Sequence, residues 1–209
     1  MKKIIILIMV LIIAAGIYVK LNEKIKYYNT NIVILDAGHG ENDTGAVSGN
    51  IYEKDINLKA VKMIGKELEN AGIEVIYTRT NDKRLSTDKN TDLRLRAEMS
   101  SKYKAEYFIS IHTNYYEKIT SGFEIYINDS KYAKRLAKSV GQEFELLNYS
   151  TNRGIKGGTH LRVLRLNQVP SILIELGFIN SADLDYLIDE TKLEILCQSI
   201  SKGIIERVK

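Results

Sequence analysis

The spacing of hydrophobic residues changes repeatedly along the chain and predicts alternating strands and helices. Four consecutive aliphatic residues at 32–35 predict a short buried strand. Apolar residues then recur at helical spacing from Ile56 to Leu68, and the helix is expected to end near Gly72, before a strand over 74–78. Strand, helix and strand in this order are typical of a βαβ unit, so the pattern predicts an α/β domain with parallel strands.

The same alternation continues to the end of the chain, with one long interruption. Residues 148–160 are polar and hold three glycines, so they are predicted to be a surface loop. Further strands are predicted over 107–111, 122–128, 163–166 and 171–176. Further helices are predicted over 91–103, capped by Thr91 or Asp92, over 131–147, capped by Asp129 or Ser130, over 182–188, capped by Ser181, and over 192–208. The buried side of the first of these helices is expected to carry Leu93, Leu95, Ala97 and Met99.

The first twenty residues form an apolar segment that differs from the rest. Lys2 and Lys3 precede an unbroken apolar run over 4–19, which is roughly long enough to cross a bilayer. The positive-inside rule keeps these lysines in the cytoplasm and predicts export of the remainder, although Lys20, Lys24 and Lys26 reduce the asymmetry. Because 14–16 is a poor cleavage site, an uncleaved membrane anchor over 1–20 is favoured over a removed signal peptide. A linker over 21–30 and one domain over 31–209 would follow.

Composition and charge exclude several classes of function. A chain with 44% hydrophobic and 27% charged residues has ordinary globular usage. The net charge is +4 and the basic residues are spread among acids, so nucleic-acid binding is not expected. The single cysteine, Cys197, cannot form an internal disulfide or a thiolate cluster, and it is predicted to be an inert buried thiol. An exported chain without disulfides suits a bacterial envelope.

Four side chains that could bind a cation or transfer protons lie near the ends of predicted strands. His39 follows the first strand between two glycines, and Glu53 opens the next helix. A structural loop histidine and an acid at the positive end of a helix dipole are the alternative interpretations of these two residues. His112 ends the strand over 107–111. Glu175 lies inside a buried strand, where an ionised carboxylate is costly unless it is paired.

These four residues are expected to converge at one edge of the sheet. Ligands collect at the carboxyl ends of strands in open α/β sheets; His39, His112 and Glu175 fall at or near such ends, and Glu53 follows the loop after the first strand. Two neutral imidazoles and one carboxylate are a common catalytic zinc set, and a further carboxylate can transfer protons. The pattern therefore favours one zinc ion per chain, and it leaves open whether Glu53 or Glu175 is the ligand.

Six short motifs carry a resemblance to one enzyme family. They are DAGHGENDTGA, EKDINL, ISIHTN, RGIK, VLR and PSILIELGFIN, in this order. Through them the chain resembles the zinc-dependent N-acetylmuramoyl-L-alanine amidases of the amidase 3 family over about residues 32–209. The resemblance implies a single three-layer α/β domain with a six-stranded mixed sheet flanked by helices. It also implies zinc bound by His39, Glu53 and His112, with Glu175 as the catalytic acid and base.

The resemblance further implies a reaction, a substrate and a location. The enzyme would hydrolyse the amide between the lactyl group of N-acetylmuramic acid and L-alanine of the stem peptide, acting on peptidoglycan outside the cytoplasmic membrane. The short apolar segment followed by one domain is similar to the small membrane-anchored sporulation members of the family, which implies a role in muramic-δ-lactam formation in spore cortex. A zinc hydrolase of another stem bond and a non-catalytic membrane-anchored wall-binding module are the alternatives.

Three further residues are weaker candidates for the site, and one histidine is not a candidate. Asp36 is expected to hydrogen-bond a ligand histidine. Asn114 could orient a ligand or a substrate amide, and Arg153 could pair with a stem-peptide carboxylate; a turn residue and a solvated cation are the alternatives. His160 matches no motif and is predicted to be a loop residue.

Three sequence differences bear on regulation and local detail. Ala37 stands where the family usually has proline, and 179–181 read Ile-Asn-Ser in place of Ile-Ser-Asn. Residues 115–121 are too few for the zinc-occluding helix that some larger relatives insert at this point. Control is therefore expected from location, metal loading or an activator protein.

Overall fold

The fold was analysed in a computed structural model that describes residues 25–209 and, before them, only residues 6, 8, 9 and 12. Apart from these four positions, the predicted membrane segment and the first part of the predicted linker lie outside the described residues. Among the residues that are described, no helix is both long and apolar enough to span a membrane.

A six-stranded mixed sheet forms the centre of the domain. The strands are β1 (Ile32–Ala37), β2 (Val47–Ser48), β3 (Ile51–Tyr52), β4 (Glu74–Tyr77), β5 (Tyr107–Asn114), β6 (Phe123–Ile127), β7 (Asn152–Gly157) and β8 (Ser171–Phe178). Six of them pair in the order β4-β1-β5-β8-β6-β7, while β2 and β3 form a separate hairpin. The first four strands of this order are parallel, β6 is antiparallel to β8, and β7 is parallel to β6.

Helices cover both faces of this sheet. They are α1 (Glu53–Asn70), α2 (Lys89–Lys102), α3 (Lys131–Leu147), α4 (Arg162–Leu166), α5 (Leu184–Ile188) and α6 (Glu190–Val208). Helices α1, α3 and α6 pack on one face over the larger hydrophobic cluster, and α2 and α4 pack on the other over a smaller one. The predicted single α/β domain with a six-stranded mixed sheet between helices is confirmed.

The face under α2 becomes polar toward the carboxyl ends of the strands. Alternate residues of β1 and β5 point to this face, where Ile34 and Phe108 are fully buried in the smaller cluster. Two residues further along β1, the buried carboxylate of Asp36 accepts hydrogen bonds from Thr78 (2.7 Å) and Ser110 (2.7 Å). The apolar support of the sheet thus gives way to a fully bonded polar layer just before the strands end.

A buried guanidinium connects this polar layer to the loop after β1. Arg96 of α2 contacts Asp36 at 2.8 Å and Asp92 at 2.7 Å. It also donates to the carbonyl oxygens of Ala37 (2.7 Å) and His39 (2.8 Å). Burial by itself would raise the pKa of Asp36, but Arg96 and the two hydroxyl donors hold that pKa below its ordinary value. Because a buried ion pair tolerates little displacement, this cluster holds the backbone on both sides of the turn into His39.

Two predicted elements have the wrong structure type. Residues 148–160 were predicted to be a loop but contain β7, an edge strand whose exposed polar residues and glycines lack an alternating pattern. Strand β7 forms because it pairs with β6, which lies more than twenty residues earlier in the chain. The local sequence of β7 therefore does not reveal that it is a strand. Residues 163–166 were predicted to be a strand but lie in α4, which is one turn long and too short to show helical spacing.

Two predicted helix starts are also wrong, and the buried side of one helix is confirmed only in part. Helix α2 begins at Lys89, because Asp88 caps it by accepting from the Thr91 backbone at 2.8 Å. Helix α5 begins at Leu184 instead of directly after Ser181. The predicted buried side of α2 is confirmed for Ala97, which is buried, and for Leu93 and Met99, which pack against the smaller cluster, but Leu95 is not a member of that cluster. Three polar residues, which the apolar spacing did not identify, are buried in the same helix. They are Asp92 and Arg96, which pair with each other, and Ser100, which donates to Asn167.

Candidate metal centre

His39 is held in a strained turn directly after β1. Its φ of 64° lies in the left-handed region, which costs a non-glycine residue about 1–3 kcal/mol. Reciprocal backbone hydrogen bonds of 2.9 Å between Gly40 and Asp43 close the turn. The Nδ1 atom of His39 lies 2.9 Å from Asp43 Oδ1, and Nε2 lies 3.2 Å from Glu53 Oε1. Both ring nitrogens therefore face a carboxylate, and the ring has one defined orientation.

Glu53, the first residue of α1, joins three segments of the chain. Its Oε2 accepts from the Ala46 backbone at 2.8 Å, and its Oε1 accepts from the Thr113 backbone at 3.1 Å. The same Oε1 lies 2.8 Å from Nδ1 of His112. Burial by itself would raise the pKa of Glu53, but contacts with His112 and His39 hold that pKa far below its ordinary value. Glu53 is therefore an ionised, preoriented oxygen donor.

The three side chains converge closely enough to share one metal ion. One donor atom from each of His39, Glu53 and His112 lies within 4.8 Å of the other two. Two glycines leave space for them: a Cβ on Gly45 would lie 2.4 Å from Glu53 Oε2, and one on Gly38 would lie 2.3 Å from Cε1 of His112. Two imidazoles and one carboxylate fit the preferences of zinc and leave a fourth position open. The residues present therefore fit the ion that the sequence predicted.

The protonation of His39 bears on metal binding. Burial by itself would lower the pKa of His39, but the carboxylates of Glu53 and Asp43 raise it above the ordinary value. Since a metal takes a neutral imidazole, a cation at this site would displace a proton, and its affinity would fall as the pH falls.

Glu175 lies beside the three converging side chains. In the sheet its Cα is the partner of His112 on β5 and of Glu124 on β6, so these three residues share one face. Its Oε2 atom is buried and accepts no hydrogen bond from the described part of the chain. Burial, together with the charges of Glu53 and Glu124, raises the pKa of Glu175 well above its ordinary value. A carboxyl group in this state can carry a proton near neutral pH.

Glu124 belongs to the site, although no sequence motif identified it. It is 3% exposed and lies across from Glu175. It accepts hydrogen bonds from Asn114 (3.0 Å) and Arg153 (3.0 Å), and Lys156 also contacts it. The predicted candidates Asn114 and Arg153 are thus both held by this carboxylate, next to Glu175. Alternation placed Glu124 on one face of β6, but only the register against β8 brings it to the site.

Asp36 does not have the contact that was predicted for it. It bonds Thr78, Ser110 and Arg96, and no histidine is among its hydrogen-bond partners. Besides Glu53, the acid that contacts His39 is Asp43, four residues further along the turn, which was not predicted. Its presence in the motif DAGHGENDTGA was the only available signal. His160 lies in a turn with its ring against Tyr126, in agreement with the predicted loop position.

Comparison with known proteins identifies the family. A profile of the amidase 3 family, described as N-acetylmuramoyl-L-alanine amidase, matches residues 33–206. The chain belongs to the amidase 3 family. This amidase is 33% identical over 176 residues to the uncharacterized protein YqiI of Bacillus subtilis (strain 168), and the match covers 82% of each chain. It is also 33% identical over 178 residues to the probable cell wall amidase LytH of Staphylococcus aureus, covering 82% of this amidase and 56% of LytH.

A solved structure shares the fold of this amidase. The CwlD amidase from Clostridioides difficile, in complex with the GerS lipoprotein, superimposes with a TM-score of 0.79 at 32% identity, covering 85% of this chain and 98% of that chain. Membership of the family confirms the predicted enzyme class: the chain is an N-acetylmuramoyl-L-alanine amidase, and its substrate is peptidoglycan.

The close approach of Gly38 to His112 gives a specific test of the candidate metal centre. Because an alanine Cβ would lie 2.3 Å from the ring of His112, Gly38→Ala must displace the imidazole. We expect Gly38→Ala to bind zinc at least about tenfold more weakly, as when the orientation of a ligand is disturbed. Zinc retained after dialysis, measured by mass spectrometry, checks this.

Gly157→Ala is the matched control, since no atom lies within 4 Å of its added Cβ and its φ is not left-handed. Circular dichroism establishes that both variants fold. A folded Gly38→Ala protein with wild-type zinc affinity would contradict the assignment of His112 as a ligand.

Proposed function

We propose that this amidase is a zinc enzyme that cleaves the amide between the muramic acid lactyl group and L-alanine, with zinc held by His39, Glu53 and His112. The convergence of the three donor atoms within 4.8 Å of one another supports this metal assignment. Zinc bound there would polarise a carbonyl group and lower the pKa of a water toward about 7. Family membership supports the same bond specificity.

Glu175 is the proposed catalytic acid and base. It accepts the proton of the attacking water and returns it to the amine nitrogen of L-alanine as the carbon-nitrogen bond breaks. A raised pKa suits both steps, because such a group can hold the proton between them at neutral pH. The buried, unpaired Oε2 of Glu175 supports this role, since no hydrogen bond from the described protein competes for it.

The neighbouring polar residues are proposed to bind substrate. Glu124 neutralises part of the charge of Arg153 and fixes its direction. The side chain of Arg153 stays 34% exposed, so it is accessible to a stem-peptide carboxylate. Asn114 donates to Glu124 through its amide nitrogen, and its position on β5 beyond His112 suits contact with a substrate amide.

We also propose that residues 1–20 anchor the enzyme in the cytoplasmic membrane and that the catalytic domain over 31–209 acts on its outer face. The uninterrupted apolar run and the preceding lysines support this arrangement. The description of LytH as a probable cell wall amidase supports action outside the cytoplasm. A lipoprotein partner is present in the CwlD structure, which supports the proposal that an activator protein also binds this amidase.

A role in forming muramic-δ-lactam in spore cortex is the more specific part of the proposal. Removal of the stem peptide would expose the lactyl carboxyl group from which the lactam is made. The similarity to CwlD over 85% of the chain supports this role.

Glu175→Gln separates metal binding from proton transfer. Glutamine keeps the shape of the side chain but cannot accept the proton, so activity is expected to fall about 10²–10⁴-fold with zinc content unchanged. Digestion of purified muropeptides followed by mass spectrometry measures the activity. Release of intact glycan and peptides that begin with L-alanine identifies the bond; cleavage further along the stem would support the alternative hydrolase.

Glu145→Gln, an exposed change on α3, is the control and should leave both zinc and activity at wild-type values. Full activity in Glu175→Gln would remove the proposed role of Glu175.

The spore role is tested in the organism from which the gene comes. Spores that lack this amidase are expected to have cortex without muramic-δ-lactam and to germinate poorly, and the muropeptide profile of the cortex measures this. Complementation with the wild-type gene should restore the lactam, whereas the Glu175→Gln gene should not. Normal lactam in the null spores would exclude the cortex role and leave the amidase activity standing.

A further inference from the structure

The residues just before the sheet are bound to the edge opposite the metal centre. Backbone or side-chain donors of Lys26, Thr30 and Asn31 bond carbonyl oxygens in the connections that precede β8, β5 and β4. The distances are 2.6 Å from Lys26 N to Gln168 O, 2.8 Å from Thr30 Oγ1 to Lys104 O and 2.8 Å from Asn31 Nδ2 to Gly72 O. Residues 26–30 of the predicted linker and Asn31, the first residue of the predicted domain, therefore pack against the amino-terminal ends of the parallel strands.

Tyr27 holds this segment in place. Its ring stacks on Tyr132 with centroids 4.0 Å apart and planes 5° apart, and it meets Tyr107 edge to face at 6.1 Å. Its hydroxyl donates to Glu106, a buried carboxylate, at 2.6 Å. A stacked aromatic ring with a bonded hydroxyl fixes both the position and the direction of the chain. The segment that connects residues 1–20 to the domain thus enters at a defined edge.

Exposed cations surround this point of entry. These cations lie on the segment, at the end of α2, in the loop before β5, on the first turns of α3 and on α4. We call the surface they form the amino-terminal face; they are Lys26, Lys102, Lys104, Lys131, Lys134, Arg135 and Arg165. Fewer exposed acids lie near these cations, at the start of β4, on the last turns of α1 and α2 and before α3. They are Glu69, Glu74, Glu98 and Asp129, since Glu106 is buried. The face therefore carries an excess of positive charge.

Aromatic rings lie among these cations. Tyr103 and Tyr27 are 39% and 37% exposed. Lys102 lies 5.2 Å from the centroid of the Tyr103 ring, and Lys131 lies 5.2 Å from that of Tyr132. Tyrosine places an apolar ring and a polar tip at a membrane interface, and lysine extends its charge toward lipid headgroups. Each basic residue near an anionic leaflet adds to binding.

We propose that the amino-terminal face lies against an anionic lipid surface, so that the metal centre points away from the membrane. This inference rests on the proposed anchor, because the anchor brings the face to the bilayer. The eight residues of β5 separate the two edges by roughly 25 Å at about 3.3 Å per residue. The catalytic edge would thus be presented to wall material beyond the bilayer surface.

The test measures the depth of two labelled positions in the full-length chain. Single cysteines replace Tyr103 on the amino-terminal face and Ile119 in the β5–β6 connection, which is 86% exposed. The native Cys197 is fully buried and is left in place. Each variant carries a fluorophore and is reconstituted in vesicles of phosphatidylcholine alone or mixed with phosphatidylglycerol. Spin-labelled lipids quench fluorophores that lie at the headgroups.

We expect strong quenching at position 103 in vesicles with phosphatidylglycerol and little at position 119. The quenching at 103 should decrease at 1 M salt, where the Debye length shrinks to about 3 Å. Replacing Lys102, Lys104 and Lys131 by glutamine should remove it. The matched control replaces Lys62, Lys83 and Lys118, which are also exposed but lie away from this face, and should leave it unchanged.

Separate outcomes decide the face and the anchor. Sedimentation with phosphatidylcholine vesicles but equal quenching at 103 and 119 would overturn the face and leave the anchor standing. Failure to sediment with them, with salt-sensitive binding to phosphatidylglycerol that the first triple variant loses, would overturn the anchor and support the face. Failure to bind either kind of vesicle would overturn both the lipid-facing surface and the anchor. A positively charged face that binds an acidic protein instead of lipid would give this result.

Discussion

The candidate site depends on the hydrogen bonds that the carboxylate of Glu53 accepts. This carboxylate joins the loop after β1, the start of α1 and the end of β5, and each of its oxygens accepts a backbone hydrogen bond. These two backbone donors hold the carboxylate in place independently of the histidines. Buried Arg96 fixes the carbonyl of His39 from the other side. The geometry is therefore built by the fold and is not left to a metal ion to impose.

Much of this arrangement could be predicted from local sequence. His39 and Glu175 were identifiable because each interrupts or follows an apolar strand, where a polar side chain requires a partner. Glu53 was identifiable because helical spacing begins directly after it. What the spacing could not decide was the role of each acid. The family resemblance assigned those roles, and the pairing of His112 with Glu175 in neighbouring strands is compatible with them.

The parts that were missed depend on long-range pairing. Asp43 reaches His39 only because a backbone turn closes between Gly40 and Asp43, and Glu124 reaches the site only through the register of β6 against β8. Strand β7 was missed for the same reason, since an edge strand with exposed polar residues carries no local pattern. In α2, Arg96 is buried through its salt bridges with Asp36 and Asp92, beside the apolar residues of the helix, and the spacing of apolar residues does not predict it.

The zinc K-edge absorption spectrum of the purified full-length amidase reports which atoms surround the bound ion. Ligation by His39, Glu53 and His112 predicts nitrogen and oxygen ligands at about 2.0–2.1 Å, with the outer-shell scattering of two imidazoles. Sulfur at about 2.3 Å, or the scattering of fewer than two imidazoles, would contradict it.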